Sequence, residues 1–375
     1  MKATSSRLSP HVTTDLQAIA LTVLQASGHA SRRDVNIVLV LDRSGSMTNS
    51  NSCKPMGAAA KLFTDMFVDG RDQLSLITFQ TTANVDFAPS RNFKTGIEQQ
   101  LSQMVCEGFT NSAWGLSLAY DQIKQVGWPG ALNVVVFFSD GQPNTVRYAN
   151  LPTRNQATDD NDYRYDINNR QESPVSRSPC TSPTIPSGIL TSPTKGVLKD
   201  VLYPIDSAEG NLEDSSHLVP AGCFYNGKKD DRQMRYDIAY IPAQDYYGNP
   251  TAGTLNPKGS HPFNSTILFP SDLSKYVYGG QLRPDVQQNL DSIAFNTADN
   301  AAYRIRNDMT YKPIVYTIGL GTSASNDFME RLANDPRASS YDNSKQAGKY
   351  YYAPTATQLA AIFQQIASQV LRISQ

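Results

Sequence analysis

The chain is predicted to fold as an α/β protein: a doubly wound, mostly parallel sheet flanked by helices and broken by a long irregular insertion. Three observations carry this. Apolar, β-branched runs at 35–41, 131–138 and 313–320 read as fully buried strands of a parallel sheet. Segments with helical spacing of apolar residues separate them. The first two runs end in a carboxylate followed by small residues, Asp42-Arg43-Ser44-Gly45-Ser46 and Asp140-Gly141, at the strand ends where open α/β sheets bind ligands.

In chain order, residues 1–33 form an N-terminal extension, with a possible short strand at 19–24 and polar linker elsewhere. The regular part begins at Asp34 with the strand 35–41. Gly45 lets the backbone turn tightly after it. A helix over 56–67 follows from the spacing of Ala59, Leu62, Phe63, Met66 and Phe67. Residues 73–79 read as a strand and 84–87 as a short edge strand. Ile97, Leu101 and Met104 mark a helix over 95–104. Leu116, Ala119, Tyr120 and Ile123 mark another over 113–126.

After the strand 131–138 the pattern stops. Residues 144–282 are rich in Pro, Ser, Asn, Asp, Tyr and Gly, with loop signals at 182–188 and 192–194. Structureless loops of that length are uncommon inside compact domains. The expectation is an insertion over 145–282, irregular or with small hairpins, rooted at Asp140 and therefore over or beside the ligand face. Its tyrosines, Tyr163, Tyr165, Tyr225, Tyr236, Tyr240, Tyr246 and Tyr247, suit an adaptable recognition surface or the packing of loop-rich structure. Its carboxylates Asp159, Asp160, Asp162 and Asp166 read as a solvated acidic loop, since an EF-hand's glycine and terminal glutamate are missing. A helix from 284 to 308, a strand at 313–321, a helix at 326–333, a strand at 350–352 and a helix at 358–371 complete the fold. The parallel-sheet domain is thus discontinuous, 34–144 and 283–372.

The chemistry concentrates at the first two strand ends. Asp42, Ser44 and Ser46 put one carboxylate and two hydroxyls within five residues. Asp140 adds a second carboxylate, and Thr110 a third hydroxyl just before a helical pattern. Hard oxygen donors of this kind suit Mg²⁺, which takes six oxygens and keeps several waters. With so few carboxylates the ion stays electrophilic, leaving a position for one more anionic oxygen.

The spaced set Asp42-x-Ser44-x-Ser46, Thr110 and Asp140 resembles the metal-ion-dependent adhesion site of von Willebrand factor type A domains. The resemblance implies that Ser44, Ser46 and Thr110 contact the ion directly or nearly so, and Asp42 and Asp140 directly or through water. It also implies Mg²⁺, with Mn²⁺ or Ca²⁺ as alternatives, and a protein partner that offers a carboxylate. The serial pattern 41–47, then Cys53 with 58–63, then 106–111, resembles bacterial A-domain proteins of tight-adherence (Flp-type) pilus assembly. Those carry an N-terminal membrane anchor, which this chain does not display.

There are four cysteines, Cys53, Cys106, Cys180 and Cys223. If the loops near Cys53 and Cys106 flank one metal, these thiols share a face. A disulfide there would clamp two metal-bearing loops together and contribute up to ~4 kcal/mol through loop entropy. Cys180 and Cys223 could pair with each other; free buried thiols are the alternative. Paired cysteines imply an extracytoplasmic location.

Other classes are disfavoured. A net charge of -1 with 18% charged residues leaves no basic footprint for nucleic acid. No run reaches the ~18 apolar residues of a membrane span, and no signal-peptide arrangement opens the chain. The histidines, His11, His29, His217 and His261, lie in no motif segment, and neither a nucleophile elbow nor a phosphate loop occurs, so a binding module is expected rather than an enzyme. The alternative is a cytoplasmic A-domain subunit working with an ATPase in a metal-insertion or remodelling complex.

Overall fold

The structure, a computed structural model, describes residues 32–152, 164–165, 172–173, 184–191, 197–199, 242–251, 277–278, 281–282, 287–324 and 326–375. The strand expected at 19–24, the acidic residues Asp159, Asp160, Asp162 and Asp166, Cys180, Cys223 and all four histidines lie outside them.

The first half of the chain runs β1 (Val35–Asp42), a short α1 (Gly45–Asn49), α2 (Cys53–Asp65), β2 (Gln73–Phe79), β3 (Ala83–Ser90), α3 (Lys94–Gln103), α4 (Ser112–Val126) and β4 (Leu132–Ser139). Next come β5 (Thr145–Pro152), β6 (Thr184–Thr191) and β7 (Val197–Lys199), then α5 (Gln287–Arg306), β8 (Ile314–Leu320), α6 (Asn326–Ala333), β9 (Lys349–Ala353) and α7 (Leu359–Ile373). The main sheet has the order β9-β8-β4-β1-β2-β3. All its neighbours are parallel except β3, which runs antiparallel to β2.

The period of two along each strand divides the core. Ile37, Leu39 and Leu41 of β1 and Val134, Val136 and Phe138 of β4 face α2, α3 and α7, among them Met56, Phe63, Leu101 and Phe363. Val38, Val40, Val135 and Phe137 face α4, α5 and α6, among them Leu116, Ile123, Ala298 and Phe328. Burial on both faces is why these strands read as continuous apolar runs rather than alternating ones.

Boundaries moved where local chemistry was overlooked. Helix α2 begins at Cys53, three residues before the expected start. Pro55 sits in its first turn, where a missing N–H costs nothing. Strand β3 extends to Ser90 through register shifts against β2, and an edge strand tolerates Pro89. Gly127 ends α4 in the left-handed conformation, φ 62°, its N–H bonded to the Ile123 carbonyl.

Arg32 and Arg33, assigned to the extension by sequence, tie into the fold. Arg32 Nη2 donates to both carboxylate oxygens of the fully buried Asp72 at 2.7 and 2.6 Å. The Arg33 N–H donates to the Ser374 carbonyl.

Between β4 and α5, strands β5, β6 and β7 form an antiparallel sheet. Val146, Tyr148, Ile189 and Leu190 are buried, and Ile189 joins the core on the α4 side. Residues 242–251 dock beside them through a buried polar network. The Asn249 side chain donates to Ser117 Oγ on α4 at 2.9 Å and accepts from Arg304 on α5 at 2.8 Å. Asn296 and Asn300 of α5 donate to the carbonyls of Thr251 and Pro250. Ile189 of β6 and residues 242–251 therefore pack against the α4–α5 flank. Tyr246 and Tyr247 serve packing here: the Arg147 guanidinium lies between the Trp114 and Tyr246 rings, 4.3 and 3.8 Å from their centroids.

An Asn249→Ala change removes the hydrogen bonds that Asn249 makes with Ser117 on α4, Arg304 on α5 and the buried Asp245, so it should lower unfolding free energy by about 1–3 kcal/mol. Urea denaturation measures this; an unchanged midpoint would remove Asn249 as the docking residue.

Candidate metal centre

Strand order reverses between β1 and β4: the chain builds outward from β1 through β2 to β3, then returns to the other side of β1. The ends of two buried strands thereby meet at a switch point, where the connecting loops diverge and leave a crevice. Asp42 ends β1, and Asp140 follows the last residue of β4.

After Asp42 the backbone leaves the sheet, with the Arg43 N–H on the Phe79 carbonyl at 2.8 Å. Ser44 is extended, φ -69° and ψ 169°, and α1 starts at Gly45. This turn points the Ser44 N–H back at Asp42 Oδ1, 2.8 Å away. The other carboxylate oxygen, Oδ2, accepts from Ser139 Oγ at 2.6 Å. The Ser44 and Ser46 hydroxyls are 2.9 Å apart, and Ser46 Oγ donates to Asp140 Oδ1 at 2.6 Å. Ser50 Oγ donates to Asp140 Oδ2 at 3.3 Å.

Thr110 arrives from the loop before α4. Its N–H donates to Asn144 Oδ1 at 2.8 Å, and its carbonyl accepts the Asn144 N–H at 3.0 Å. Its hydroxyl and that of Ser46 face the same side of Gly141, where a Cβ would sit 4.0 Å from Thr110 Oγ1 and 3.5 Å from Ser46 Oγ. The absence of a side chain at Gly141 keeps that space clear. Gly108, at φ +77°, is also required: a Cβ there would collide with the Gln80 and Thr81 side chains.

The structure thus brings Asp42, Ser44, Ser46 and Asp140 into one chain of close contacts and sets the Thr110 hydroxyl on the same side of Gly141 as that of Ser46. Asp42, Ser44, Thr110 and Asp140 are at most 5% exposed, and Ser46 is half-buried. Cys53 and Cys106 are joined by a disulfide, Cα–Cα 6.1 Å. Trp114 is buried in the α4 face rather than lining the crevice.

The electrostatics are those of a site short of positive charge. Burial, and then the negative charge of Asp140, push the Asp42 carboxyl up to about 7, against the pull of its bonds from Ser139 and Ser44. Burial also raises Asp140, partly offset by the Ser46 and Ser50 hydroxyls.

The donor set fits a hard divalent cation. Every group is oxygen, and two cis ligands on an octahedral ion with ~2.1 Å bonds stand ~3 Å apart. The contacts of 2.9 and 2.6 Å linking Ser44, Ser46 and Asp140 match that spacing.

Sequence reasoning missed Ser139, Ser50 and Asn144. Ser139 carried a signal, as the one hydroxyl closing the apolar run before Asp140. Ser50 and Asn144 carried none, since their bonds depend on how the loops fold back.

The mouse (Mus musculus) calcium-activated chloride channel regulator 1 is 30% identical over 114 residues, 29% of this chain and 12% of that protein. The chain therefore spans about an eighth of the length of that relative. Among solved structures, the vWF domain of the type V pili tip protein Mfa5 from Porphyromonas gingivalis is 15% identical, with a TM-score of 0.46, covering 92% of this chain and 98% of that one. Proximal thread matrix protein 1 from the mussel byssus, solved with a zinc-occupied MIDAS motif, is 11% identical with a TM-score of 0.41, covering 91% and 46%. Residues 37–142, which include both strand ends and the Thr110 loop, match the von Willebrand factor type A domain family model.

Proposed function

We propose that the protein is a divalent-metal-dependent protein-binding module. Asp42, Ser44, Ser46, Thr110 and Asp140 hold Mg²⁺, or Mn²⁺ or Ca²⁺ in its place, and a carboxylate of a partner protein completes the coordination. The observation that carries the reading is the run of contacts from Asp42 through Ser44 and Ser46 to Asp140 at the sheet's switch point. When bound, the ion supplies a Lewis-acidic position that a carboxylate can occupy. The chain's own part is to orient the oxygens. Ser44 N–H and Ser139 Oγ fix Asp42 on both oxygens, and Ser46 and Ser50 do the same for Asp140.

Binding rather than catalysis is favoured because the Ser44 and Ser46 hydroxyls are bonded to each other and to Asp140, with no histidine or lysine among these partners to activate one. The Cys53–Cys106 disulfide supports an oxidising, extracytoplasmic setting over a cytoplasmic ATPase-linked subunit. Among the described residues no helix is long and apolar enough to cross a membrane. A cell-surface or pilus-assembly protein, akin to the tight-adherence A-domain proteins, is the reading these features support best.

Two outcomes test this. Ser44→Ala should weaken Mg²⁺ binding more than about 100-fold in calorimetry, because a group contacting the ion outranks the supporting groups whose loss costs about 10–100-fold, and Asp140→Ala should weaken it at least about tenfold, while the circular dichroism spectrum of both stays unchanged. Full partner binding in excess chelator would end the metal reading.

The second outcome is pH dependence. The metal takes the ionised carboxylate, so apparent affinity should fall as pH drops below about 7, the value for Asp42. In metal-free protein the sign reverses. The folded state keeps a proton that the unfolded chain releases near 3.8, so the Asp42 contribution to stability should decline as pH rises from there through about 7. Thermal melts with and without Mg²⁺ across that window should diverge as pH increases; parallel curves would contradict it.

A further inference from the structure

The loop that delivers Thr110 has little structure of its own. Residues 104–111 join α3 to α4 without a regular element. Their position comes mainly from ties to neighbouring loops. The Gly45 N–H donates to the Gly108 carbonyl at 2.9 Å, and the Glu107 N–H donates to the Arg43 carbonyl at 2.8 Å. Thr48 Oγ1 donates to the Cys106 carbonyl at 2.6 Å. The Phe109 N–H donates to Thr81 Oγ1 at 3.0 Å. At its far end Thr110 exchanges two bonds with Asn144, and the Asn111 N–H donates to the Gln80 carbonyl at 2.8 Å. The covalent tie is the Cys53–Cys106 disulfide, which joins the start of α2 to the loop four residues before Thr110.

These ties differ in kind. Thr48, Glu107 and Gly108 are exposed, so water competes for their hydrogen bonds, and exposed backbone bonds belong to the least protected parts of a fold. The disulfide is covalent and meets no such competition. Cys106 is packed into the core beside Leu101 and Met56, 6% exposed, whereas Cys53 is half-buried. The tie therefore joins the Thr110 loop covalently to the helix that follows the Asp42–Ser46 motif.

We propose, resting on the metal reading above, that the Cys53–Cys106 disulfide is a positioning device for Thr110 and makes metal affinity depend on redox state. Opening it takes a two-electron reductant, a dithiol. One dithiol sulfur attacks the Cys53 sulfur as thiolate, the Cys53–Cys106 bond breaks, and a mixed disulfide forms. The second dithiol sulfur then displaces Cys53. The dithiol ends as its cyclic disulfide, and its two protons reside on the Cys53 and Cys106 thiols. With the bond open, residues 105–108 are held to the motif by hydrogen bonds alone, most of them at exposed residues, and Thr110 keeps its Asn144 bonds but loses the covalent anchor four residues before it.

The test uses the full chain carrying Cys180→Ser and Cys223→Ser, so that only Cys53 and Cys106 respond to dithiothreitol. Mg²⁺ binding is measured by calorimetry in the oxidised, reduced and reoxidised states. Amide hydrogen exchange at Gly45 and Glu107 is followed without metal. Reduction should weaken Mg²⁺ binding about tenfold, in the range seen when groups that orient metal ligands are lost. It should also speed exchange at Glu107, and reoxidation should restore both. A Cys53→Ser/Cys106→Ser chain should match the reduced state; if that variant fails to fold, the reversible titration decides. Equal Mg²⁺ affinity in both redox states would overturn this inference and leave the metal reading standing. Absence of Mg²⁺ binding by the oxidised chain would overturn both.

Discussion

Two carboxylates are held within one buried crevice, and much of the local architecture answers the repulsion between them. Asp42 is fully buried and Asp140 nearly so. Water cannot neutralise them there, so each oxygen must find a donor or a cation, or the group must take up a proton. The chain supplies a hydroxyl or N–H to every carboxylate oxygen, through Ser44, Ser139, Ser46 and Ser50. Those donors in turn dictate the turn after β1, the hydroxyl ending β4 and the placement of α1. The position matters too: at a switch point the two connecting loops leave in opposite directions, and open α/β sheets bind ligands there.

The same site shows what a linear chain reveals. Asp42, Ser44, Ser46 and Asp140 stand out because oxygen-bearing side chains interrupt some of the most apolar runs in the protein, and burial would penalise them without a purpose. Strands β1 and β4 were legible for the same reason, since packing on both faces leaves no room for polar alternation. Thr110 was found through its place before a helical pattern. Ser50 and Asn144 were invisible, because each acts through one bond across a loop closure that composition does not encode. The antiparallel pairing of β5 with β6 was hidden too. It joins segments of mixed polarity, and its buried residues, Val146, Tyr148, Ile189 and Leu190, are too few for a clear period.

The arrangement divides labour between rigid and adjustable parts. The sheet fixes Asp42 and the residue before Asp140 through a shared parallel register, in which Leu41 pairs with Phe138. The Thr110 loop has no strand to hold it and relies on ties contributed by others. A recognition site built this way combines an immovable base with one wall whose position is set separately.

Asn144 has a practical consequence for anyone redesigning the segment between β4 and α5. Its side chain and its backbone each grip Thr110, one at the N–H and one at the carbonyl, so the first residues after Asp140 act as a clasp on the neighbouring loop. A chimera that swaps foreign sequence in downstream of Tyr148 leaves the clasp shut. A junction cut before Asn144 opens it, even though every oxygen of the crevice itself is retained.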